Sequence, residues 1–282
     1  MGKKRFFDDR LKYLSFIQNT SEKRAISSEL TPFIASMPQN RTFLRILDAG
    51  TGDGTVKSNV IKTFHKYHPY TSLLITGKEI SYEDLKNTLE KMPDRFVEHP
   101  NLLVTMTNVK FAELGHVENA NKIKNKKVKV HNLILKEDNS FDFHLQINKL
   151  NNFIKKNWGI EIDNKSRTSY SNPCLIRIYR EDHKRYLEPF IDNDYENNNY
   201  DLIIASQAYR AASAVKTKVN NVIAPLMRLL NKSGRLLVTH SCGEYTVEKI
   251  LKIAYKDKKP FPNKAKDIID FLKNNPVGEN SR

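Results

Sequence analysis

Cysteine is nearly missing from this chain: 282 residues contain two, Cys174 and Cys242, in no Cys-x-x-Cys spacing. Two thiols cannot build a disulfide framework, so the expected setting is a reducing cytoplasm. No run of about 18 apolar residues occurs, and a membrane-spanning helix is therefore not expected. The basic start Met1-Gly2-Lys3-Lys4-Arg5 is followed by no apolar core of the secretion-signal kind. Acidic residues are in deficit, with 32 Asp plus Glu against 47 Lys plus Arg and a net charge of +15. No zinc-finger spacing, RNP-like aromatic strand or GXXG loop converts that charge into a nucleic-acid module. Against these absences, the chain is 39% hydrophobic and 10% aromatic. Its length suits one large domain, or one domain with a sizeable insertion, around a buried core.

The excess charge sits in three segments. Met1–Leu30 has 7 basic and 4 acidic residues, Lys110–Phe190 has 16 and 10, and Lys249–Arg282 has 9 and 4. The remainder is close to neutral. The densest cluster, Lys122-x-Lys124-x-Lys126-Lys127-x-Lys129, reads either as a solvated surface or as a grip for phosphates.

Strands alternate with helices along most of the chain. Helical spacing of apolar residues over Asp8–Ser36 predicts one or two helices. Short apolar strands are expected at Phe43–Leu47, Ser72–Thr76, Leu102–Met106, Tyr200–Ala205 and Gly234–Thr239. Helices are expected at Thr55–His68, Tyr82–Met92, Val215–Leu230, Val247–Tyr255 and Ala265–Leu272. That alternation implies an α/β fold: a parallel sheet with helices on both faces. The interval between the third and fourth strands far exceeds a simple crossover of roughly 10–20 residues. Lys127–Leu135 and Ser140–Ile147 both alternate, and Lys136-Glu137-Asp138-Asn139 between them signals a hairpin. A helix at Asn148–Trp158 and a strand at Cys174–Tyr179 follow, and Asn193–Asn199 forms a polar exit. The expected organisation is an N-terminal helical segment (1–40), a core (41–111 and 199–282) and an inserted α+β subdomain (112–198) serving as a lid or in substrate recognition.

The sharpest local signal is a strand running into Asp48-x-Gly50-x-Gly52-x-Gly54 and then a helix. Glycines there let the backbone turn tightly and approach a ligand that side chains would block. The spacing differs from the G-x-G-x-x-G that seats a pyrophosphate on a helix N-terminus. Glu79 stands at the end of the next strand, where a carboxylate can accept both ribose hydroxyls of a nucleoside-bearing cofactor. A tight structural turn with helix-capping acids is the plainer reading.

These residues resemble the class I S-adenosylmethionine-dependent methyltransferases, over 43–110 and 200–256. The resemblance implies a Rossmann-like sheet with S-adenosylmethionine as cofactor. Asp48 opens the motif, Gly50, Gly52 and Gly54 would pack on the methionine portion, Glu79 would hold the ribose with Ile80 beside it, and Asn108 would lie near the adenine. Ser206 and Gln207, after the fourth strand, would border the transfer site. The run Tyr13-Leu14-Ser15-Phe16-Ile17-Gln18-Asn19-Thr20-Ser21-Glu22 further resembles an element of the histamine N-methyltransferase-type small-molecule enzymes, as do Glu79-Ile80-Ser81 and Ser241-Cys242-Gly243. It implies that Glu22 binds a cationic amine, that Tyr13 and Phe16 wall its pocket, and that Gln207 bonds nearby. Glu22 and Gln207 are then the candidates for orienting or deprotonating the acceptor. Tyr13 and Phe16 equally suit the core face of an amphipathic helix, with Glu22 a first-turn acid. That family carries no such insert, and its sixth and seventh strands have no counterpart after Tyr255. Either the chain stops short of them or the inserted strands occupy that sheet edge.

The expected function is methyl transfer to a small molecule, an amine in the first instance. The alternatives are an RNA methyltransferase gripping phosphates with the basic insert, and a non-catalytic binding or scaffold protein of the same fold. His65 and His68, at i and i+3 with no third ligand in spacing, read as a solvated helix face and not as a metal site. Cys174 and Trp158 read as core.

Overall fold

The computed structural model describes residues 21–116, 122–123, 126–162, 168–191, 199–206, 208–240, 253 and 261–277. Tyr13, Phe16, Gln207, the Ser241-Cys242-Gly243 turn and nearly all of Val247–Tyr255 lie outside the described residues. In chain order the elements are α1 (Glu22–Ala35), β1 (Phe43–Asp48), α2 (Thr55–Tyr67), β2 (Ser72–Lys78), α3 (Tyr82–Glu90), α4 (Pro93–Glu98) and β3 (Leu102–Thr107). Next come β4 (Lys122–Ile123), β5 (Lys126–Lys127), β6 (Lys129–Leu135), α5 (Ser140–Asn148), α6 (Leu150–Asn157), β7 (Ile160–Ile162), β8 (Thr168–Tyr170), β9 (Cys174–Arg180) and α7 (Lys184–Ile191). The last group is β10 (Tyr200–Ala205), α8 (Val215–Lys218), α9 (Ala224–Met227), β11 (Leu230–Val238) and α10 (Ala265–Asn274).

The main sheet has seven strands in the order β11-β10-β1-β2-β3-β9-β6. The first five are mutually parallel, with β1 between β10 and β2. Their near-continuous apolar sequences are those of strands covered on both faces, and β2 and β3 are buried almost throughout. On one face, Leu44 and Ile46 of β1, Leu73 and Ile75 of β2, and Val104 and Met106 of β3 pack against α1 to α4. On the other, Leu47, Ala49, Ile203 and Ala205 meet Val222 and Leu226 near α9. The result is a mostly parallel, Rossmann-like α/β sheet with helices on both sides.

Segment 112–198 contributes to the same sheet. Strand β9 pairs antiparallel with β3, and β6 pairs parallel with β9, so these two run against the other five. Phe143, Ile147, Leu150, Ile154 and Trp158 join the core cluster that holds β1 to β3. The inserted strands therefore do not occupy the edge beyond the fifth strand: they lie beyond β3, at the opposite edge, and β11 is the outermost described strand on its side.

Ser140–Ile147 is a helix, which corrects the expected hairpin strand. Phe141, Phe143, Leu145 and Ile147 alternate as a strand would. Asn139, however, caps the segment through Oδ1, which accepts the Asp142 N–H at 3.0 Å. The helix then buries the i, i+4 pair Phe143 and Ile147, while Phe141 stays 70% exposed and Leu145 47%. The expected single helix over Val215–Leu230 is broken into α8, a π-helical segment at Val219–Ile223, and α9. Pro225, at the start of α9, has no N–H to continue the i→i−4 ladder there. His68 is also not a solvated residue. It is buried, and Nε2 hydrogen-bonds the Ile34 carbonyl at 2.8 Å, fastening α2 to the end of α1.

Candidate functional site

The glycine turn sits where the sheet topology opens a crevice. Chain leaving β1 goes to β2 on one side, while β10 flanks β1 on the other, so the carboxyl ends of β1 and β10 form the topological switch point. Three glycines are needed there for two different reasons. Gly52 and Gly54 hold φ of 56° and 77°, the left-handed region that side chains resist. Gly50 is required by close approach, because a Cβ there would lie 3.1 Å from the Ser206 carbonyl at the tip of β10. Around the turn, the Ala49 N–H donates to the Ile204 carbonyl (2.8 Å), the Thr51 N–H to the Lys78 carbonyl (3.1 Å), and Thr88 Oγ1 to the Gly52 carbonyl (3.0 Å). Asp53 caps the start of α2 through Thr55, at 2.7 Å to its hydroxyl, and pairs with Lys23 of α1. Burial pulls the Asp53 carboxyl up, but hydrogen bonds from Lys23 and Thr55 outweigh it and hold the group below the usual range.

Beneath the turn, one row across the sheet aligns Asp48 of β1 with Gly77 of β2 and Met106 of β3. All three face α2, and Lys57 of α2 comes down onto that row. A Cβ on Gly77 would stand 2.7 Å from Lys57 Nζ, Met106 Sδ and Thr51 Oγ1, so only glycine leaves room for the ammonium. Lys57 is fully buried, with Nζ 3.5 Å from the Ile75 carbonyl and 3.4 Å from Met106 Sδ. Asp48 is 1% exposed, and neither carboxylate oxygen has a hydrogen-bond partner among the described residues. Burial raises the Asp48 pKa, the nearby Lys57 opposes that rise, and burial lowers Lys57 in turn.

Glu79 faces the same turn and clamps it. Oε2 accepts the Gly52 N–H at 2.9 Å, while Oε1 accepts the N–H groups of Ile80 and Ser81 at 2.8 Å each. Burial raises its pKa against those donors. Three of roughly four lone-pair positions are used, which leaves one for a ligand. Ile80 thus touches the site through its backbone. Ser206 contributes its carbonyl beside Gly50. Asn108 is committed elsewhere: Nδ2 donates to the Asn172 carbonyl at 2.9 Å and Oδ1 accepts the Cys174 N–H at 2.9 Å, tying the end of β3 to the start of β9. Glu22 opens α1, and it is its neighbour Lys23 that pairs with Asp53 at the turn. The structure thus brings together Asp48, Gly50, Gly52, Gly54, Glu79, Ile80 and Ser206, with Glu22 at the first position of α1 and Asn108 at the β3–β9 junction.

Sequence reasoning missed a polar group on the β10–β11 side. Ala208 lies against Gly50, within 3.7–3.9 Å of a Cβ built there, and Tyr209 follows it. Tyr209 Oη is 3.3 Å from His240 Nδ1, and His240 Nε2 is 2.9 Å from the Asn263 carbonyl. A carbonyl only accepts, so in the neutral imidazole Nε2 carries the proton and Nδ1 accepts from the tyrosine. Lys218 Nζ, 5.3 Å from the centre of the Tyr209 ring, donates to the Ala211 carbonyl and to Asn263 Oδ1. Burial raises the Tyr209 pKa and lowers that of Lys218. The only signal for this group in the sequence was its position after the fourth and fifth strands. Such an arrangement can orient a hydrogen-bonding ligand and take up a proton.

No protein-family model matches the chain, and no curated protein matches it. Among the described residues, no helix is long and apolar enough to cross a membrane.

Proposed function

We propose that this protein is a cytoplasmic S-adenosylmethionine-dependent methyltransferase acting on a small molecule, an amine in the first instance. One observation carries the reading: a triple-glycine turn at the topological switch point, with the next strand's acid, Glu79, bonded directly to it. The residues fit such a cofactor on two counts. Gly50 and Gly52 present no side chain to a ligand, and the buried Asp48 carboxylate, beside Lys57 under the turn, has no hydrogen-bond partner among the described residues. Asn108 is buried and its amide ties β3 to β9, so adenine recognition on this reading falls to other groups after β3.

When bound, the cofactor supplies an electrophilic methyl group on a sulfonium. The chain's own part is to hold Gly50–Gly54 and Ser206 as walls, to balance positive charge with Asp48, and to grip hydroxyls with the free position on Glu79. Positioning of this kind is worth about 7–11 kcal/mol of barrier at most. An amine acceptor must shed a proton, and on this reading His240 Nδ1, in contact with Tyr209, takes it. Glu22 is then the counter-charge for a cationic amine, and Tyr13, Phe16 and Gln207, which lie outside the described residues, are the further substrate residues that the resemblance implies.

Titration calorimetry and thermal melting with S-adenosylmethionine and S-adenosylhomocysteine test the cofactor. Saturable binding with a raised melting temperature is expected. An unchanged melting curve at millimolar ligand sinks the proposal. An acceptor screen follows, in which Tyr209→Phe should lower turnover and shift its pH profile while cofactor affinity holds. The RNA-directed alternative draws on the exposed Lys127 and Lys129. It requires RNA affinity that falls steeply with salt, whereas amine turnover should be nearly salt-independent.

A further inference from the structure

A cavity of about 490 Å³ opens at the amino ends of β1 and β10, the end of the sheet opposite the glycine turn. Phe33, near the end of α1, and Met37, just beyond it, supply apolar lining, and Arg41 and Arg235 line the cavity as well. The single carboxylate present, Asp201, is already well supplied with donors. It accepts the Arg45 N–H at 2.8 Å, the Asn231 side-chain amide, and Arg41 Nη2 at a long 3.4 Å. Arg235 has no carboxylate within ion-pair distance among the described residues. Its Nη1 donates to Ser36 Oγ at 2.8 Å, and its guanidinium carbon lies 6.0 Å from the centre of the Phe33 ring. A neutral hydroxyl leaves that cation's charge unanswered.

We propose that this cavity binds a small organic oxyanion with a flat apolar body, such as a carboxylate or a phosphate monoester. Arg235 engages the anion, Arg41 assists from beside Asp201, and the body lies along Phe33 and Met37. The chemistry is that of guanidinium recognition: a planar fork of donors matches two oxygens of a carboxylate or phosphate, and an aromatic face nearby holds a flat group. The volume falls within the usual range for small-molecule sites. This site stands apart from the glycine turn, so the inference does not depend on the methyltransferase reading.

The test is titration of the full-length protein with benzoate, phenyl phosphate and uncharged benzamide, followed by calorimetry and amide chemical shifts. Saturable binding of benzoate or phenyl phosphate is expected, with shifts at Phe33, Met37 and Arg235, and benzamide should not bind. Preference between the two anions tells a carboxylate ligand from a phosphate one. Arg235→Gln should weaken binding about tenfold or more, and Arg235→Lys should restore only part of it. Arg41→Gln gives an independent weakening. The proposal is overturned if neither anion binds the wild-type protein saturably, if benzamide binds as well as benzoate, or if both arginine variants that melt like wild type bind undiminished.

Discussion

At the carboxyl ends of β1 and β2, two glycines sit at left-handed φ and the buried Asp48 carboxylate has no hydrogen-bond partner among the described residues. At the amino ends of β2 and β3, three histidines make ties between segments. His99 Nε2 bonds the Thr71 carbonyl at 3.0 Å, His99 Nδ1 lies 3.2 Å from His65 Nδ1, and His68 Nε2 bonds the Ile34 carbonyl. The contrast separates two uses of a buried polar group. One end spends its histidines on holding the chain together, and the other keeps left-handed backbone and a buried carboxylate–ammonium pair in place, as binding sites do.

The largest effect that tests this contrast should come from Gly54→Val. It places a branched side chain at φ 77° and its Cβ 2.7 Å from Thr88 Cα, so backbone strain and overpacking add to about 2–5 kcal/mol. Urea unfolding measures it, and a loss under about 1 kcal/mol would mean that the turn relaxes freely. Next is acid titration of the amino end. Burial, then the neighbouring His65, push His99 down to about 4, with His183 and His68 adding to the fall and the Thr71 carbonyl opposing it. The folded state therefore resists protonation that the unfolded chain accepts below about 6.5. Stability should be full above pH 6.5 and fall by about 3 kcal/mol as pH drops toward 4. His99→Gln should flatten that dependence in unfolding measured at several pH values. An unchanged slope would place the acid sensitivity elsewhere. The smallest effect is expected of the double replacement Asp48→Leu with Lys57→Met. Exchanging both members of this buried charge pair for apolar side chains of similar size should leave stability within about 1 kcal/mol or raise it, whereas Lys57→Met alone strands the Asp48 carboxylate and should cost about 3–5 kcal/mol. On the proposed reading the double variant should also weaken S-adenosylmethionine binding. A large stability loss in the double variant would show that the pair holds the fold instead of serving the site.

How far the sequence could be read followed from how local each signal was. Tyr200–Ala205 was legible to the residue, and β1 lacked only Asp48, because parallel strands buried on both faces are unbroken apolar runs with polar ends. The turn at Gly50–Gly54 was legible because glycine spacing is a backbone requirement. Ser140–Ile147 misled because its apolar residues satisfy a period of two and an i, i+4 pair at once, and the Asn139 cap together with packing of Phe143 on Phe96 of α4 decides between them. The Asn108 bonds and the Tyr209–His240 contact span 64, 66 and 31 residues, so no local pattern announces them. The side of the sheet on which segment 112–198 adds its strands is likewise a pairing choice that side-chain alternation does not encode.

That choice has an electrostatic consequence. Helices α2 and α3 begin at the carboxyl ends of β1 and β2, so their amide-rich, positive ends point into the crevice. Strand β6 runs the other way, and α5, which follows it, starts at the amino end of the sheet, where Ser140 Oγ reaches Asp94 Oδ1 at 2.5 Å. Reversing two strands thus turns the dipole of their connecting helix away from the crevice. Among the described residues, α2 and α3 aim their amino ends at the glycine turn, and α5 of the inserted segment does not.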